Sequence, residues 1–342
     1  MRYHQAVILD VRGTAGGRMR ASYAVGVDVG GTRIAAGLVE RKGRILKEAR
    51  TLTPKNGPFA IADAIIDLIA EVSDGVQRAE IAGIGVGLPA QVDFAKQTIE
   101  FCTNLPLAGV DVRSLVMSRV KHDVVLDNDG HCAGIGEARF GAARGIRDFV
   151  MITLGTGVGG ALFLSGEPYR GARGLGGEIG HMVVRLDGPQ CPCGGYGHLE
   201  AYLGRPALAA RGREAARSFA AQVLRDLAGG DPDAVTAEHV VEAARRGDEL
   251  SREILYEAGH VLGQALVGIV NLLNPKAIVV GGGIGESAPL VVEQAAKIIN
   301  EEALAGRRDV TVVRAALGND AGVMGAAALA FDEHDSREAL HR

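Results

Sequence analysis

The segment GPQCPCGGYGHLEAY, residues 188–202, concentrates residue types that bind metals. Cys191 and Cys193 are one residue apart, and His198 and Glu200 follow them in a chain with only four cysteines. A metal site, a redox pair and a polar loop are the three interpretations open at this point. The CxC spacing is too tight for an easy disulfide between the two thiols, and nothing else in the sequence indicates secretion. A metal is therefore favoured over a disulfide.

Three glycine-rich loops follow strand-like runs: DVGGTR at residues 28–33, LGTGVGG at 154–160 and GGGIGE at 281–286. Glycine lets backbone N–H groups approach an anion, and a threonine hydroxyl adds a donor, so such loops can hold phosphate. Each loop taken alone fits a plain hairpin or barrel corner equally well. Asp28 shifts the balance in the first loop, because a carboxylate beside bound phosphate requires a divalent cation between them. The pattern predicts Mg²⁺ with a nucleotide.

Two common nucleotide-binding motifs do not match these loops. None of the three has the form G-x-x-x-x-G-K-[ST], and no G-x-G-x-x-G opens a helix after the first strand. These observations disfavour a P-loop NTPase and a dinucleotide-dependent enzyme.

A pair of carboxylates lies in LDNDGHCAGIGEARFG, residues 126–141, directly after the strand-like run VVL. Phosphoryl transfer to an alcohol needs a carboxylate that accepts the hydroxyl proton, and Asp129 is suited to that role. Asp and Asn residues between a strand and a helix are more often helix caps. Spacing alone therefore favours capping over catalysis for Asp129.

The elements that would position these residues follow a repeating order. Residues 23–28 predict a strand, and a glycine turn leads to a second strand and, after residues 41–43, to a third. Residues 59–72 predict a helix, and IAGIGVGLPA predicts a buried strand. From Phe149 the strand, glycine turn and strand recur, which indicates two related halves. Further helices are predicted at about 206–228, 236–246 and 249–273, and at the small-residue run AGVMGAAALAF.

Length, charge and composition limit the classes of protein to which this chain can belong. A chain of 342 residues is expected to form two domains. The net charge of -4 and the scattered Lys and Arg residues indicate a small-molecule partner and no nucleic-acid partner. The sequence has no apolar run of about 18 residues and no apolar signal-peptide core, so no membrane association and a cytoplasmic location are expected. Residues 1–22 are predicted to be a disordered tail.

Taken together, the motifs DVGGT, GVGLP, NLP, NDGHCAGIGE, GTGVGG, GGEIGH and CPCGGYGHLE resemble, in order and spacing, the ROK family (repressors, open reading frames and sugar kinases), in particular its bacterial glucokinases. The resemblance extends from about residue 23 to about residue 330. It implies an α/β fold of the actin-like, ribonuclease-H-like ATPase type, with two α/β domains flanking a cleft. The small N-terminal domain would be 23–140 and the large C-terminal domain, with the metal loop, 141–318. A helix at about 319–332 would pack back on the first domain.

The resemblance also implies the site residues. Asp129 would be the general base, which replaces the capping interpretation. Hydroxyl-rich sugars suit amides and carboxylates, which form paired hydrogen bonds with them. The sugar would be bound by Asn104, Asn128, Asp129, Glu178, His181 and Glu200. The phosphates and magnesium would be held by Asp28, Gly30, Gly31, Thr32, Gly155, Thr156 and Gly157, and the adenosine would be bordered by Gly281, Gly282 and Gly283.

A structural zinc is implied as well, because the family combines a histidine in E-x-G-H with C-x-C-x4-C. The spacing places His181, Cys191, Cys193 and His198 at those positions, with a histidine where the family has its last cysteine. Imidazole is a competent zinc ligand, so a Cys₂His₂ site is expected, and a decayed, metal-free loop is the alternative. Four protein ligands leave no open position, so the zinc would act as a scaffold that orients the second ring nitrogen of His181.

The implied activity is ATP- and Mg²⁺-dependent phosphorylation of a hexose, with glucose and its 6-hydroxyl as the first expectation. GVGLPA and NLPLAG depart from the family's GxGxPG and NLPGW, and these loops shape the sugar pocket, so N-acetylhexosamine, mannose, fructose and allose kinases stay open as alternatives. A non-catalytic sugar-sensing regulator is the alternative of another class, although residues 1–22 are too short and glycine-rich for a DNA-binding helix-turn-helix. The phosphoryl donor, ATP or polyphosphate, is left open, and a homodimer or homotetramer is expected.

Overall fold

The computed structural model describes residues 21–102, 104–304 and 309–340. In these residues the strands are β1 (Tyr23–Val29), β2 (Arg33–Glu40), β3 (Ile45–Leu52), β4 (Ile81–Leu88), β5 (Gln91–Asp93), β6 (Thr98–Phe101), β7 (Val124–Asn128), β8 (Phe149–Leu154), β9 (Val158–Leu164), β10 (Glu167–Tyr169), β11 (Ala277–Gly281) and β12 (Thr311–Arg314).

The helices are α1 (Pro58–Ser73), α2 (Val112–Val120), α3 (Asp129–Phe140), α4 (Glu200–Leu203), α5 (Arg205–Ala216), α6 (Gln222–Leu227), α7 (Ala237–Arg245), α8 (Glu249–Leu273), α9 (Gly282–Ser287), α10 (Pro289–Glu302) and α11 (Ala321–Leu340). Short 3₁₀ turns occur at Arg78–Glu80, Ile179–His181, Pro232–Ala234 and Gly318–Asp320. None of the helices in the described residues is long and apolar enough to span a membrane.

The two main sheets have the same strand order. The first runs β3-β2-β1-β4-β7 and the second β10-β9-β8-β11-β12. In each sheet the first three strands of the half form antiparallel hairpins, and the last two lie parallel to the central strand. The repeated strand, glycine turn and strand thus reflect two halves of one topology. The domain division itself, at 140/141, stays a prediction.

Three apolar cores hold these layers together. One lies between the first sheet and α1 and α2, and another packs the second sheet against the helices that follow α4. The third lies between the two sheets and joins residues of β1, β2, β8 and β9 to α3 and α11. Phe149 and Phe163 stack there with ring centroids 4.3 Å apart. Burial of this shared core couples the two halves.

Helix α11 packs on β1, β4 and α3. A Cβ on Gly26 would lie 1.9 Å from the Val323 carbonyl oxygen, and one on Gly85 would lie 1.8 Å from that of Ala326, so only glycine permits this approach. The helix is longer than the predicted 319–332. Its extension after Phe331 is polar. Ion pairs join its side chains to neighbouring elements, for example Arg41 with Asp335 and Arg337 with Asp123, and Arg337 also pairs with Glu333 within the helix.

Two local predictions need correction. The predicted tail of residues 1–22 extends too far, because Ala21 is buried and the Ser22 N–H donates to the Glu80 carbonyl oxygen at 2.9 Å; residues 1–20 lie outside the described part of the chain. The helix predicted at 206–228 is two helices, α5 and α6. Between them the Ser218 hydroxyl accepts from the Ala220 N–H, a local bond that competes with helix continuation.

Candidate active site

A cavity of about 480 Å³ opens between the two halves, where the β1–β2 turn faces the β8–β9 turn. Every residue predicted to bind the sugar lines it, as do most of those predicted to bind the nucleotide. The predicted residues at its wall are Gly30, Gly31, Thr32, Asn104, Asn128, Asp129, Gly155, Thr156, Gly157, Glu178, His181, Glu200 and Gly282. The fold therefore brings together motifs that are far apart in the sequence.

The first glycine loop is held from behind by the segment that follows β3. Thr53 donates its N–H to the Thr32 carbonyl oxygen at 2.9 Å and its hydroxyl to that of Gly30 at 2.7 Å. The Lys55 Nζ donates to the Gly31 carbonyl oxygen at 2.9 Å. In a trans peptide the N–H points away from the carbonyl of the preceding residue, so the Gly31 and Thr32 N–H groups point away from Thr53 and Lys55. The three bonds thus fix which way this turn presents its amides.

The second glycine loop is held by Glu200, the first residue of α4. Its Oε2 accepts from the Val158 N–H at 2.9 Å, and a Cβ on Gly157 would lie only 2.2 Å from the same oxygen. The Arg205 N–H donates to the Gly155 carbonyl oxygen at 3.1 Å. The Glu200 carboxylate thus supports the second glycine loop, and Glu200 also lines the cavity on the side predicted to bind the sugar.

Only one residue of the third glycine loop lines the cavity. Gly282 lines the cavity with φ +81, a left-handed conformation that favours glycine. Gly281 packs instead near Ala315 and Met151, and Gly283 lies near the Arg205 guanidinium. Neither of these two glycines is at the wall of the cavity.

Asp129 is the first residue of α3, and the helix cap is its neighbour. The Asn128 Oδ1 accepts from the N–H groups of Gly130 and His131 at 2.8 and 3.2 Å, which is the N-cap arrangement. The capping role that spacing alone assigned to Asp129 is therefore wrong. The Asn128 Nδ2 donates to the Ala90 carbonyl oxygen at 3.2 Å, so much of this amide's bonding capacity is used within the protein.

Burial and like charges perturb the acids at the base of the cleft. Burial raises the pKa of Asp129 to about 7, and the nearby carboxylates of Asp28 and Glu178 contribute to the rise. Burial also raises the pKa of Asp28 to about 6 and raises that of Glu178. Asp28 lies near the end of β1, beside Gly322, and is partly exposed, although it is not among the residues that line the cavity. A carboxyl group with a pKa near neutrality is suited to proton transfer.

The sugar-side residues converge from three loops. Glu178 precedes the turn Ile179–His181, and its Oε2 lies 3.9 Å from His181 Nε2. Gln91, which directly follows the loop GVGLPA, faces Glu178 and acts to lower its pKa, although burial dominates and raises it. Asn104 lies near Gly31 in the loop after β6. The arrangement offers amides, an imidazole and carboxylates to a polyhydroxyl ligand.

Sequence reasoning missed several residues at the wall. Val158 lies inside the second glycine loop and Thr153 directly precedes it. Pro89 and Ala90 belong to the loop that departs from the family pattern, and Gln91 follows directly, so wider motifs would have included these residues. Lys55 belongs to no motif, and no pattern points to Phe101. The unpredicted wall residues are Lys55, Pro89, Ala90, Gln91, Phe101, Thr153, Val158, Gly159, Gly160, Gly176 and Gly177.

The predicted metal ligands meet beside the cavity. One ligand atom from each of His181, Cys191, Cys193 and His198 can be chosen so that all lie within 4.8 Å of one another. Cys193 Sγ lies 3.2 Å from His198 Nδ1, and Cys191 Sγ lies 3.8 Å from His181 Nδ1. Burial raises the pKa of Cys191 to about 12. The donor set, two sulfurs and two imidazole nitrogens, fits a tetrahedral zinc ion.

Solved structures share this fold. A structure described as a ROK family glucokinase from Streptomyces griseus in complex with glucose and AMPPNP is 35% identical, with a TM-score of 0.82 over 90% of this chain and 98% of that one. A ROK hexokinase from Thermus thermophilus is 31% identical, with a TM-score of 0.76 over 92% and 99% of the two chains. The predicted actin-like ATPase fold is confirmed: the protein belongs to the class in which two α/β halves enclose a nucleotide-type cleft.

Sequence comparison narrows the class to a family. The ROK family model matches residues 24–333. A glucokinase of Streptomyces coelicolor is 35% identical over 311 residues, which cover 90% of this chain and 96% of the relative. The chain belongs to the ROK family, as its motifs predicted.

Proposed function

We propose that the protein is an ATP-dependent hexose kinase whose first expected substrate is glucose. The observation that carries the proposal is the position of Asp129, which lies at the wall of a cleft that also contains two opposed glycine loops and a set of sugar-type ligands. The similarity to proteins described as glucokinases, one of them solved with glucose and AMPPNP, supports the same reaction. A carboxyl group placed between phosphate and hydroxyl ligands can accept the proton released in phosphoryl transfer.

Asp129 acts as the general base in this proposal. The substrate hydroxyl donates its proton to the carboxylate as its oxygen bonds to the γ-phosphorus, the bond between that phosphorus and the bridging oxygen to the β-phosphate breaks, and ADP leaves. The residues Gly30, Gly31, Thr32, Gly155, Thr156 and Gly157 hold the phosphates with backbone N–H groups and the threonine hydroxyls. Closure of the two halves excludes water, which would otherwise compete as acceptor.

Magnesium fits the acidic base of the cleft. Asp28 and Asp129 repel each other, and the pKa of each is raised, which are conditions that a bound cation relieves. Asp28 would hold the ion, directly or through water. The ion would supply charge neutralisation for the triphosphate.

Asn104, Asn128, Glu178, His181 and Glu200 bind the sugar hydroxyls in this proposal. Ala90 stands at the wall where the family pattern has glycine, so the pocket is narrowed there by a methyl group. Because this loop departs from the family pattern, binding of N-acetylhexosamine, mannose, fructose or allose is the competing outcome. A coupled assay of ADP release with this panel of hexoses identifies the acceptor, and the same assay with polyphosphate identifies the donor.

Asp129→Asn tests the base. The amide preserves the size of the side chain but cannot accept the proton, so kcat should fall by about 10²–10⁴-fold. Sugar binding measured by calorimetry should persist. A variant with near-normal kcat would refute this role. A wild-type protein that binds a hexose and releases no ADP with any donor would instead support the sugar-sensing alternative.

Zinc is proposed as a scaffold for the sugar side. His181 Nδ1 faces Cys191 Sγ, while Nε2 faces Glu178 at the cavity wall, so a metal at Nδ1 would leave Nε2 for the substrate. Glu200 Oε1 also lies 3.7 Å from Cys191 Sγ. The metal loop would thus position two sugar ligands at once. We further propose a homodimer or homotetramer that acts in the cytoplasm, which gel filtration with light scattering and cell fractionation would test.

A further inference from the structure

A buried ionic cluster that the mechanism above does not use lies under the sugar side of the cleft. Asp127, at the end of β7 in the first half, is fully buried. Arg170, which directly follows β10 in the second half, donates to Asp127 Oδ2 from Nη2 at 2.6 Å and from Nε at 3.0 Å. The Arg170 guanidinium also lies 4.0 Å from the centre of the Phe94 ring. The pair therefore joins the two halves beside the cavity.

His131 completes the cluster. Its ring is 2% exposed, Nδ1 lies 2.9 Å from Asp127 Oδ1, and Nε2 lies 3.1 Å from the Gly176 carbonyl oxygen. Both neighbours are acceptors. A neutral imidazole has only one N–H and would leave a lone pair facing one of these oxygens, whereas the imidazolium satisfies both. Geometry therefore favours the doubly protonated ring.

The charges around the ring agree with this assignment. Burial raises the pKa of Asp127, but hydrogen bonding and charge from His131 and Arg170 outweigh it and bring the pKa below its usual range, so the carboxylate is ionised. Glu178 is another acid near the ring. Burial dominates and raises its pKa, and His131 acts in the opposite direction. A doubly protonated ring, as the geometry favours, would add a positive charge to the Asp127 carboxylate and the Arg170 guanidinium and leave the cluster with an excess positive charge beside Glu178.

The cluster holds the loop of residues 170–177 at both ends. The Gly176 N–H donates to the Arg170 carbonyl oxygen at 2.8 Å, and the Gly176 carbonyl faces His131. At its middle, Gly174 adopts φ +82 against the backbone of Val92 and Phe94 in the first half. Gly176 and Gly177 line the cavity, and Glu178 follows directly. A shift of this loop would displace Glu178.

We propose that Asp127, His131 and Arg170 are positioning residues for the acceptor sugar: with His131 as an imidazolium, they lock residues 170–177 onto the first half and so fix Glu178. The proposal rests on the proposed function in that it takes Glu178 as a sugar ligand. None of the three side chains is at the cavity wall, so they act through the loop. Their loss should weaken binding of the sugar far more than binding of the nucleotide.

Arg170→Gln is the first test, and the chain offers a matched control. Arg41 also makes two hydrogen bonds to one aspartate, Asp335, and lies 4.5 Å from the centre of a phenylalanine ring, but away from the cavity wall. Loss of a buried charge-assisted pair is expected to raise the sugar KM about tenfold or more, with the MgATP KM changed less than about twofold. Arg41→Gln should change neither KM by more than about twofold.

An unchanged sugar KM in Arg170→Gln, or an equal rise in both KM values, would overturn the proposal, because a merely structural bond would affect both ligands alike. Arg170→Lys keeps the charge and should recover part of the sugar affinity. Failure of any hexose to be phosphorylated by the wild type would count against the proposed function instead. In that case sugar and ADP affinities from calorimetry replace the KM values.

The second test needs no variant and so does not depend on folding. In ¹⁵N-histidine-labelled wild-type protein, His131 should show two protonated ring nitrogens, because both ring nitrogens face acceptors, and the signal is assigned by its loss in His131→Gln. A neutral ring at about pH 7 would refute the imidazolium assignment. If His131→Gln does not fold, the wild type alone is used. A histidine ring in which both N–H protons show coupling to their nitrogens is then assigned to His131, because its ring is only 2% exposed.

Discussion

At the level of single residues, the chemistry depends on how the fold treats Asp129. The sequence places this aspartate between a strand and a helix, where a capping role is common. The structure assigns the cap to Asn128, while Asp129 lies at the wall of the cleft and, among the described residues, accepts only the Gly130 N–H, through Oδ1 at 2.8 Å. Burial and two neighbouring carboxylates then raise its pKa to about 7. The same environment that suits the group to the proposed role of base makes its charge costly.

This cost predicts a stability gain on removal of the charge. A carboxyl whose pKa is raised in the folded state stabilises the fold most when protonated, and stability is lost as pH rises from the unfolded pKa of about 4 to the folded value of about 7. Without nucleotide or Mg²⁺, Asp129→Asn should therefore unfold at a higher temperature than the wild type at about pH 8, by about 2 kcal/mol in free energy of unfolding. At about pH 4 the two should agree. Calorimetry at both pH values measures this, and an equal or lower stability of the variant at about pH 8 would contradict it.

Activity should follow the ionised form of the same group. Asp129 accepts a proton only as a carboxylate, so kcat/KM for the sugar should rise with pH and level off above a pKa at or below about 7, since bound Mg²⁺ favours the charged form. A pH series of initial rates at saturating MgATP measures the profile. A profile that falls over this range would refute the role of base.

At the level of elements, two loops depend on segments that no motif identifies. The β1–β2 turn is held by Thr53 and Lys55 through three hydrogen bonds to consecutive carbonyls. The zinc-type loop is closed by the backbone bridges Val183–His198 and Gln190–Tyr196. In both cases the loop's own sequence supplies the ligands, and the surrounding structure supplies their orientation.

Thr53→Val should loosen the first glycine loop. The variant keeps the backbone N–H bond to Thr32 but loses the buried hydroxyl bond to Gly30, which is worth about 1 kcal/mol. The KM for MgATP should rise about fivefold, with a smaller change for the sugar. Thr51→Val, an exposed position on β3, is the matched control and should leave both KM values unchanged. Equal KM values in the two variants would show that the hydroxyl does not position the loop.

Substitutions at His198 should separate a zinc site from a decayed loop. We expect about one zinc per chain in the wild type and in His198→Cys, which keeps four competent ligands. His198→Ala should contain less zinc and have a higher sugar KM. Elemental analysis after dialysis, with the sugar KM of the same samples, measures both. Active wild-type protein without zinc would rule out the scaffold.

At the level of the whole molecule, the two halves are joined by the segments between α3 and β8 and between β12 and α11. Glu137 on α3 is fully buried and contacts both segments. Its carboxylate accepts from the N–H groups of Ala142 at 2.6 Å, Ala316 at 3.1 Å and Leu317 at 2.8 Å. A carboxylate is required for this pattern because each of its oxygens is an acceptor.

Glu137→Gln should weaken this junction. The new amide group would direct N–H donors at backbone N–H groups, so at least one charge-assisted bond is lost, and the free energy of unfolding should fall by about 2 kcal/mol or more. Sugar-induced compaction, measured by small-angle scattering, should also be smaller. Glu293→Gln on α10, a position exposed to solvent, is the control for a glutamate substitution and should change neither quantity. Unchanged stability in Glu137→Gln would contradict the role.

Much of this protein is determined by local sequence. Alternating and helical apolar patterns predicted the hairpins of both halves and helix α8 at Glu249–Leu273, because these elements bury one face each and their periodicity records it. The residues Asp28, Asp129, Glu178 and His181 could be assigned roles because they occur in motifs. The break between α5 and α6 could not be predicted, since both segments have helical composition and only the local bonds of residues 217–221 separate them.

Only the tertiary structure determines which residues distant in the sequence contact each other. Lys55 reaches Gly31, Glu137 reaches Ala316 and Arg170 reaches Asp127 because two sheets of the same order face each other across α3 and α11. The cysteine-rich segment alone indicated a metal, and the fold placed its fourth ligand, His181, against the sugar side of the cleft. Residue types determine which bonds can form, but burial and distance, which decide pKa values and partners, exist only once the chain has folded.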